Sequence, residues 1–251
     1  MDRLKGKKAL VIGGNVGIGR AVCILFALEG ADVAVADFGH EEDGEELVSE
    51  LRTSGSDAIA IPVDVRSEAQ VQSAIEQAIA HHGHLDIVVN NAGIGGYHGP
   101  LQGQTSDDWD NLVDVNLRGV FFGMKYAIPH MLERGYGRII NTASQLAHKP
   151  AANNAAYCAT KAGVVALTVS AASEVAAQGV TINAVCPGPT ETDMWHRIPS
   201  EAWKAWKIDS LPSKRLGQPV EIAWAYVYLA SDEAAYCVGQ SLSPNGGDVM
   251  W

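Results

Sequence analysis

The chain has 251 residues, 47% of them hydrophobic and 19% charged, enough to bury a sizeable core in one or at most two domains; this excludes intrinsic disorder. Its 26 glycines and 10 prolines follow no period, which excludes fibrous and low-complexity architectures. Eighteen basic residues against 29 acidic ones give a formal charge of −11, so neither nucleic acid nor an anionic membrane surface is an expected partner.

The N-terminus enters a strand pattern at once, in "KKALVI" (7–12), and no signal peptide is expected. The turn that follows, "GGNVGIGR", places Gly13, Gly17 and Gly19 between this strand and a helix that stops at Gly30. Bare backbone at that point can approach a pyrophosphate and offer it free N–H groups, although the spacing is not the generic G-x-G-x-x-G. The second strand, "DVAVAD" (32–37), ends on Asp37, eighteen residues after Gly19 and near the interval at which an acidic side chain meets the adenosine ribose. Six carboxylates and no lysine or arginine follow between Glu41 and Glu50, so a 2′-phosphate would meet only negative charge. The expected cofactor is therefore NAD(H), with Asp37 and Phe38 at its adenosine end.

Further strands read as "AIAIPV" (58–63), "LDIVVN" (85–90), "GRIINTA" (137–143) and "VTINAVC" (180–186). Between the third and fourth lies a helix with Ser67 as N-cap and Gly83 as stop. Its end carries His81, His82 and, just beyond, His84; these complement the helix dipole, and no metal site is expected. A helix starting near Ala155 precedes the sixth strand. An irregular segment from about 187 to 212 leads to a helix over 219–231 and a short strand near 240–243. Strands apolar at nearly every position, alternating with helices, predict an α/β protein: a doubly wound parallel sheet (Rossmann fold) in three α/β/α layers, as a single domain over 1–251.

No apolar run approaches the roughly eighteen residues of a membrane span. Cys23, Cys158, Cys186 and Cys237 stand far apart in no CxxC pair, which fits free thiols in a reducing cytoplasm.

The order of these motifs resembles the short-chain dehydrogenases/reductases over essentially the whole length: G-x-x-x-G-I-G, "VDV" with Asp64 and Val65, "NNAG" (90–93), "VNL" with Asn116, "NTAS" ending in Ser144, "YCATK" with Tyr157 and Lys161, and "NAVCPGPTET" (183–192). Tyr157 and Lys161, four apart on a helix, share one face, and a lysine ammonium lowers a phenol pKa that is ordinarily about 10. Such a phenol can serve as base toward an alcohol and acid toward a ketone. The resemblance implies that Ser144 steers the substrate oxygen, that Asn116 holds a helix distortion and a relay water, and that Lys161 also touches the cofactor ribose. It further implies cofactor contacts from Gly13, Asn15, Gly17, Ile18, Gly19, Asp37, Phe38, Asp64, Val65, Asn91, Ala92, Gly93, Tyr157, Lys161, Pro187, Gly188, Thr190 and Thr192.

Gln145, His148, Met194 and Trp195 are the expected substrate-pocket residues, with His98 a further candidate, and Trp203 and Trp206 make the mouth aromatic or brace it. Two departures stand out. Ile12 replaces the family's usual threonine, which should cost the glycine turn one hydrogen bond. Asn245 replaces an aspartate before the terminal Gly-Gly, with no role readable from sequence.

The reading is an NAD(H)-dependent enzyme that interconverts a small secondary alcohol and a ketone, as a homotetramer or alternatively a dimer. The rivals are a 3-oxoacyl-[acyl-carrier-protein] reductase, whose usual NADPH preference conflicts with Asp37, and an inactive nucleotide-binding scaffold. An enoyl reductase is disfavoured by the close Tyr157–Lys161 spacing.

Overall fold

The computed structural model describes residues 2–39, 41–198 and 200–250. In chain order the elements are β1 (Lys8–Ile12), α1 (Gly17–Leu28), β2 (Asp32–Asp37), α2 (Glu41–Thr53), β3 (Ala58–Pro62), α3 (Glu68–His82), β4 (Ile87–Asn90), α4 (Ser106–Val113), α5 (Gly119–Arg134), β5 (Gly137–Thr142), α6 (Ala155–Val175), β6 (Val180–Val185), α7 (Asp193–His196), α8 (Glu201–Ser210), α9 (Pro219–Ala230) and β7 (Ser241–Leu242). The seven strands form one sheet in the order β3-β2-β1-β4-β5-β6-β7, every pair parallel. The expected doubly wound fold is the observed one.

Side chains alternate across a strand, and both faces here are apolar. Leu10 and Ile12 of β1 join the core under α3, α5 and α6. Ala9 and Val11 join the one under α1, α2 and α9. The sequence therefore shows continuous hydrophobic runs rather than alternation. Ser67 caps α3 by accepting a hydrogen bond from the Gln70 N–H, and Gly83 ends it in the left-handed conformation.

Two expectations need correction. The segment 187–212 is not irregular throughout, since it contains α7 and α8. The helical run Ala155–Gln178 is, by length and composition, apolar enough to cross a membrane, contrary to the sequence reading. It is made so by alanine and valine, of which Val164, Ala172 and Val175 are buried in the core beside β5 and β6, and its Lys161 and Thr168 are buried in the protein interior.

The break in strand order between β1 and β4 puts the ends of β1, β2, β4 and β5 around one crevice at the carboxyl edge of the sheet. Doubly wound sheets hold ligands at this position.

Candidate active site

The β1–α1 turn is built for a close approach. Gly13 has φ +84°, and a Cβ on it would run into the Ala92 backbone of the β4 turn. A Cβ on Gly19 would run into the Gly13 carbonyl. Asn91 locks the two turns together by donating from Nδ2 to the Gly13 carbonyl at 2.7 Å. The hydrogen bond expected to be lost with Ile12 is not missed. Gly13 N–H donates to Ala36 O, Asn91 and Ala92 N–H both donate to Ile12 O, and the Ile12 side chain is buried.

Helix α1 has Val16 at its N-cap, no side-chain cap and no acidic residue in its first turn, so its leading N–H groups remain open to an anion. Thr192 lies over this turn, its methyl 3.4 Å from the position a Gly17 Cβ would take. Asp37 accepts from the N–H of Asn15 and of Phe38, both at 2.8 Å, which leaves lone pairs on each oxygen for a diol. Uncapped N–H groups, a floor that admits only glycine and a carboxylate at the β2 end fit a dinucleotide.

Asp64 and Val65 follow β3, and Val65 lines a small gap with Ile12, Asn90 and Ala92. The structure adds a cation that the local sequence count around Asp37 missed. Arg66 grips Asp64 with Nε and Nη2 at 2.7 to 3.1 Å and lies 5.7 Å from the centre of the exposed Phe38 ring. This pairing holds the Asp64 carboxyl below its usual range. Arg20 also faces the acidic α2, bonded to Glu50 at 2.9 Å. Both guanidiniums are already committed to carboxylates.

Asn116 lies in a π-helical turn, Asp114–Arg118, which joins α4 to α5, so the expected helix distortion is present. Its amide is fully buried and pinned at both ends to Ile94, Oδ1 accepting from the N–H at 2.8 Å and Nδ2 donating to the carbonyl at 2.9 Å. Gly93 lies between Asn116 and Lys161: a Cβ there would stand 3.3 Å from Asn116 Oδ1 and 3.4 Å from Lys161 Nζ.

Ser144 follows β5 and accepts from Leu146 N–H at 3.1 Å, with its hydroxyl facing the Tyr157 phenol. Lys161 Nζ donates to Thr142 O at 2.8 Å and stands 5.8 Å from the centre of the Tyr157 ring. Ser144, Tyr157 and Lys161 thus converge on the crevice beside the glycine floor. Burial works against the tuning that the Tyr157–Lys161 spacing implies. Burial pushes the Tyr157 phenol up to about 12, against the pull of the Ser144 hydrogen bond, and pushes Lys161 down to about 8. The protein alone does not lower the phenol.

The mouth is aromatic. The buried Trp195 of α7 packs on Trp203 of α8, with ring centres 5.9 Å apart, and Trp203 also meets His98 edge-on at 5.9 Å. Met194 is 42% exposed and lies against Gly95. Trp206, 62% exposed, extends the row at 6.4 Å from Trp203. Gln145 is buried, and its Nε2 donates to Asp248 rather than into an open pocket. Asp248 also holds Lys207 of α8 at 2.5 Å and Lys149 at 3.4 Å, so the tail ties α8 to the loop after Ser144; His148 lines a depression beside this knot.

The remaining loop residues form the other rim. Pro187 O accepts from Gln145 N–H, Thr190 Oγ1 donates to Gly188 O, and Thr192 Oγ1 donates to Thr190 O. Asn245 gains the role it lacked. Its Nδ2 donates to Ser243 Oγ and Val249 O, its Oδ1 accepts from Gly247 N–H, and its Cα packs where a Gly188 Cβ would be. An aspartate could accept but not donate.

Residues 13–248 match a family described as enoyl-(acyl carrier protein) reductase. A 3-oxoacyl-[acyl-carrier-protein] reductase FabG of Staphylococcus aureus is 40% identical over 244 residues, 97% of this chain and 98% of that one. A 2,5-dichloro-2,5-cyclohexadiene-1,4-diol dehydrogenase LinX of Sphingobium indicum is 39% identical over 246 residues, 98% of this chain and 97% of that one. An NAD+-bound xylitol dehydrogenase structure superimposes with a TM-score of 0.93 at 31% identity, covering 98% of this chain and all of that one.

Proposed function

The chain belongs to the short-chain dehydrogenase/reductase family, and we propose that it is an NAD(H)-dependent oxidoreductase that interconverts a secondary alcohol and a ketone. The observation that carries this reading is the convergence of Ser144, Tyr157 and Lys161 beside a glycine floor and an uncapped helix N-terminus. A bound nicotinamide would supply the hydride donor or acceptor.

In oxidation, Tyr157 takes the proton of the alcohol. In reduction it returns one to the carbonyl oxygen, which Ser144 holds in place by a donated hydrogen bond. The Lys161 ammonium favours the phenolate, and Asn116 stands on the far side of Gly93 from it. NAD over NADP is supported by Asp37 and the acidic α2, and by the prior commitment of Arg66 and Arg20 to carboxylates. A xylitol dehydrogenase of the same fold is an NAD+-bound structure. The test is NADH and NADPH oxidation across ketones, diketones and keto sugars, with Tyr157→Phe as control. Turnover of none of them, or turnover that survives in the control, overturns the proposal.

The mouth of Trp195, Trp203, His98 and Met194 suits a compact apolar or ring-bearing substrate, and the LinX relative is named for a cyclohexadiene diol. The FabG relative supports a second reading, reduction of a 3-oxoacyl group on a carrier protein. An acidic carrier needs available cations around the mouth, and here Lys204 pairs with Glu201, Lys207 with Asp248, Lys214 with Asp209 and Arg215 with Glu221. Arg197, at the end of α7, is outside these pairs.

A homotetramer is proposed from a stripe of exposed small side chains on α6 (Ala159, Ala162, Ala166, Val169) and the exposed Phe121 of α5, which together allow close helix docking. Light scattering that gives 26.6 kDa at micromolar concentration would exclude it. The four cysteines are free, in keeping with a proposed reducing, cytoplasmic setting.

A further inference from the structure

At the opposite edge of the sheet from Tyr157, the residue that opens into β3 and the last two residues of α3 come together. Asp57 precedes β3, and His81 and His82 close the helix that follows that strand. The crossover geometry brings side chains 24 residues apart in sequence into one cluster. His81 Nε2 lies 3.0 Å from Asp57 Oδ1, and His82 Nδ1 lies 3.8 Å from Asp57 Oδ2. One ligand atom from each residue can be chosen so that all lie within 4.8 Å of one another.

The telling group is His82. Its side chain is fully buried, and among the described residues neither ring nitrogen has a hydrogen-bond partner. A buried imidazole without partners is costly, and such a group in a native fold points to an ion or water that completes it. His81 stands edge-on to it, with ring centres 4.8 Å apart, and is partly exposed, so one side of the cluster opens to solvent. Asp57 is itself held in place, its N–H donating to Asp32 Oδ1 at 2.8 Å, while Asp32 pairs with Lys8.

We propose that Asp57, His81 and His82 bind a divalent transition-metal ion of the zinc type. In a tetrahedral site with bonds of about 2.1 Å, neighbouring ligand atoms stand about 3.4 Å apart. The observed separations, 3.0 and 3.8 Å, fall on either side of that distance, so modest side-chain rotation closes the site. Two imidazoles and one carboxylate select zinc, cobalt, nickel or copper over magnesium and calcium, which prefer oxygen alone. Three protein ligands leave a position for water. The ion takes the lone pair of His82 Nδ1 and clamps the end of α3 to the start of β3. Lying at the amino ends of the strands, it takes no part in hydride transfer.

The test is equilibrium dialysis of the intact chain against zinc chloride, with His81→Ala and Asp57→Asn compared with the unmodified protein. Both substitutions are at exposed positions, and metal-free thermal melts show whether each variant is folded. One zinc equivalent that raises the melting midpoint, weakened at least tenfold in each variant and not replaced by magnesium chloride, supports the site. Zinc affinity equal in all three proteins, no bound zinc, or equal stabilisation by magnesium overturns it.

Discussion

Replacing Lys161 by methionine tests how the phenol is tuned. The methionine keeps most of the side-chain volume and removes the charge. With Tyr157 at about 12 in the protein alone, the phenolate fraction at pH 8 is only about one in ten thousand, so binding partners must lower that pKa for base catalysis. An ammonium about 6 Å away acting through an effective dielectric of about 20 contributes about 2.8 kcal/mol, or about two pH units. Lys161→Met should therefore slow alcohol oxidation about a hundredfold at pH 8. It should also move the rising limb of the pH–rate profile to higher pH, measured with saturating NAD+. The sign follows from the cation: its loss makes the phenolate harder to form, so activity appears only at higher pH. The profile belongs to the Tyr157/Lys161 unit rather than to either group. A variant that is slow yet keeps the original pH profile would refute electrostatic tuning and leave Lys161 as a binding residue only.

Tyr157→Phe removes one hydroxyl and should lower turnover by about 10² to 10⁴ while NADH binding, followed by fluorescence titration, is retained; near-normal turnover on a verified substrate would sink the mechanism. Asp37→Ala combined with Phe38→Arg should shift the ratio of kcat/KM values toward NADP(H), because it removes the anion and supplies a phosphate partner. If the unmodified protein already favours NADPH, the ribose argument is wrong. Gly19→Ala should abolish dinucleotide binding, since its Cβ meets the Gly13 carbonyl; calorimetry that finds unchanged affinity would contradict the proposed cradle.

The strands, the glycine turn and the Tyr157–Lys161 pair are legible because each is a local pattern: an apolar run, a turn that demands glycine, two side chains one helical turn apart. Arg66 at Asp64, Asp57 at His81 and His82, and Asp248 at Lys207 and Gln145 are contacts made by loops returning from elsewhere, and no periodicity encodes them. Asn245 was opaque for the same reason, as its partners are backbone groups of a turn whose shape is fixed only by packing on Gly188. The opposing effect of burial on the phenol is not legible in the same way, because spacing reveals a neighbour's charge but not how far each group is withdrawn from water.

The β1–β4 pairing aligns Ala9 with Ile87 and Ile12 with Asn90, partners separated by most of three strand–helix units. A growing chain therefore cannot form the Gly13–Asn91 junction until β4 has been made, and Thr192 reaches Gly17 only after β6 is in place. Closing loops of this length is entropically slow, so the nucleotide cradle is among the last features to mature during folding. Nucleotide added during refolding should thus leave the early phases untouched and act on the final one, chiefly by slowing the reopening of a sheet already assembled.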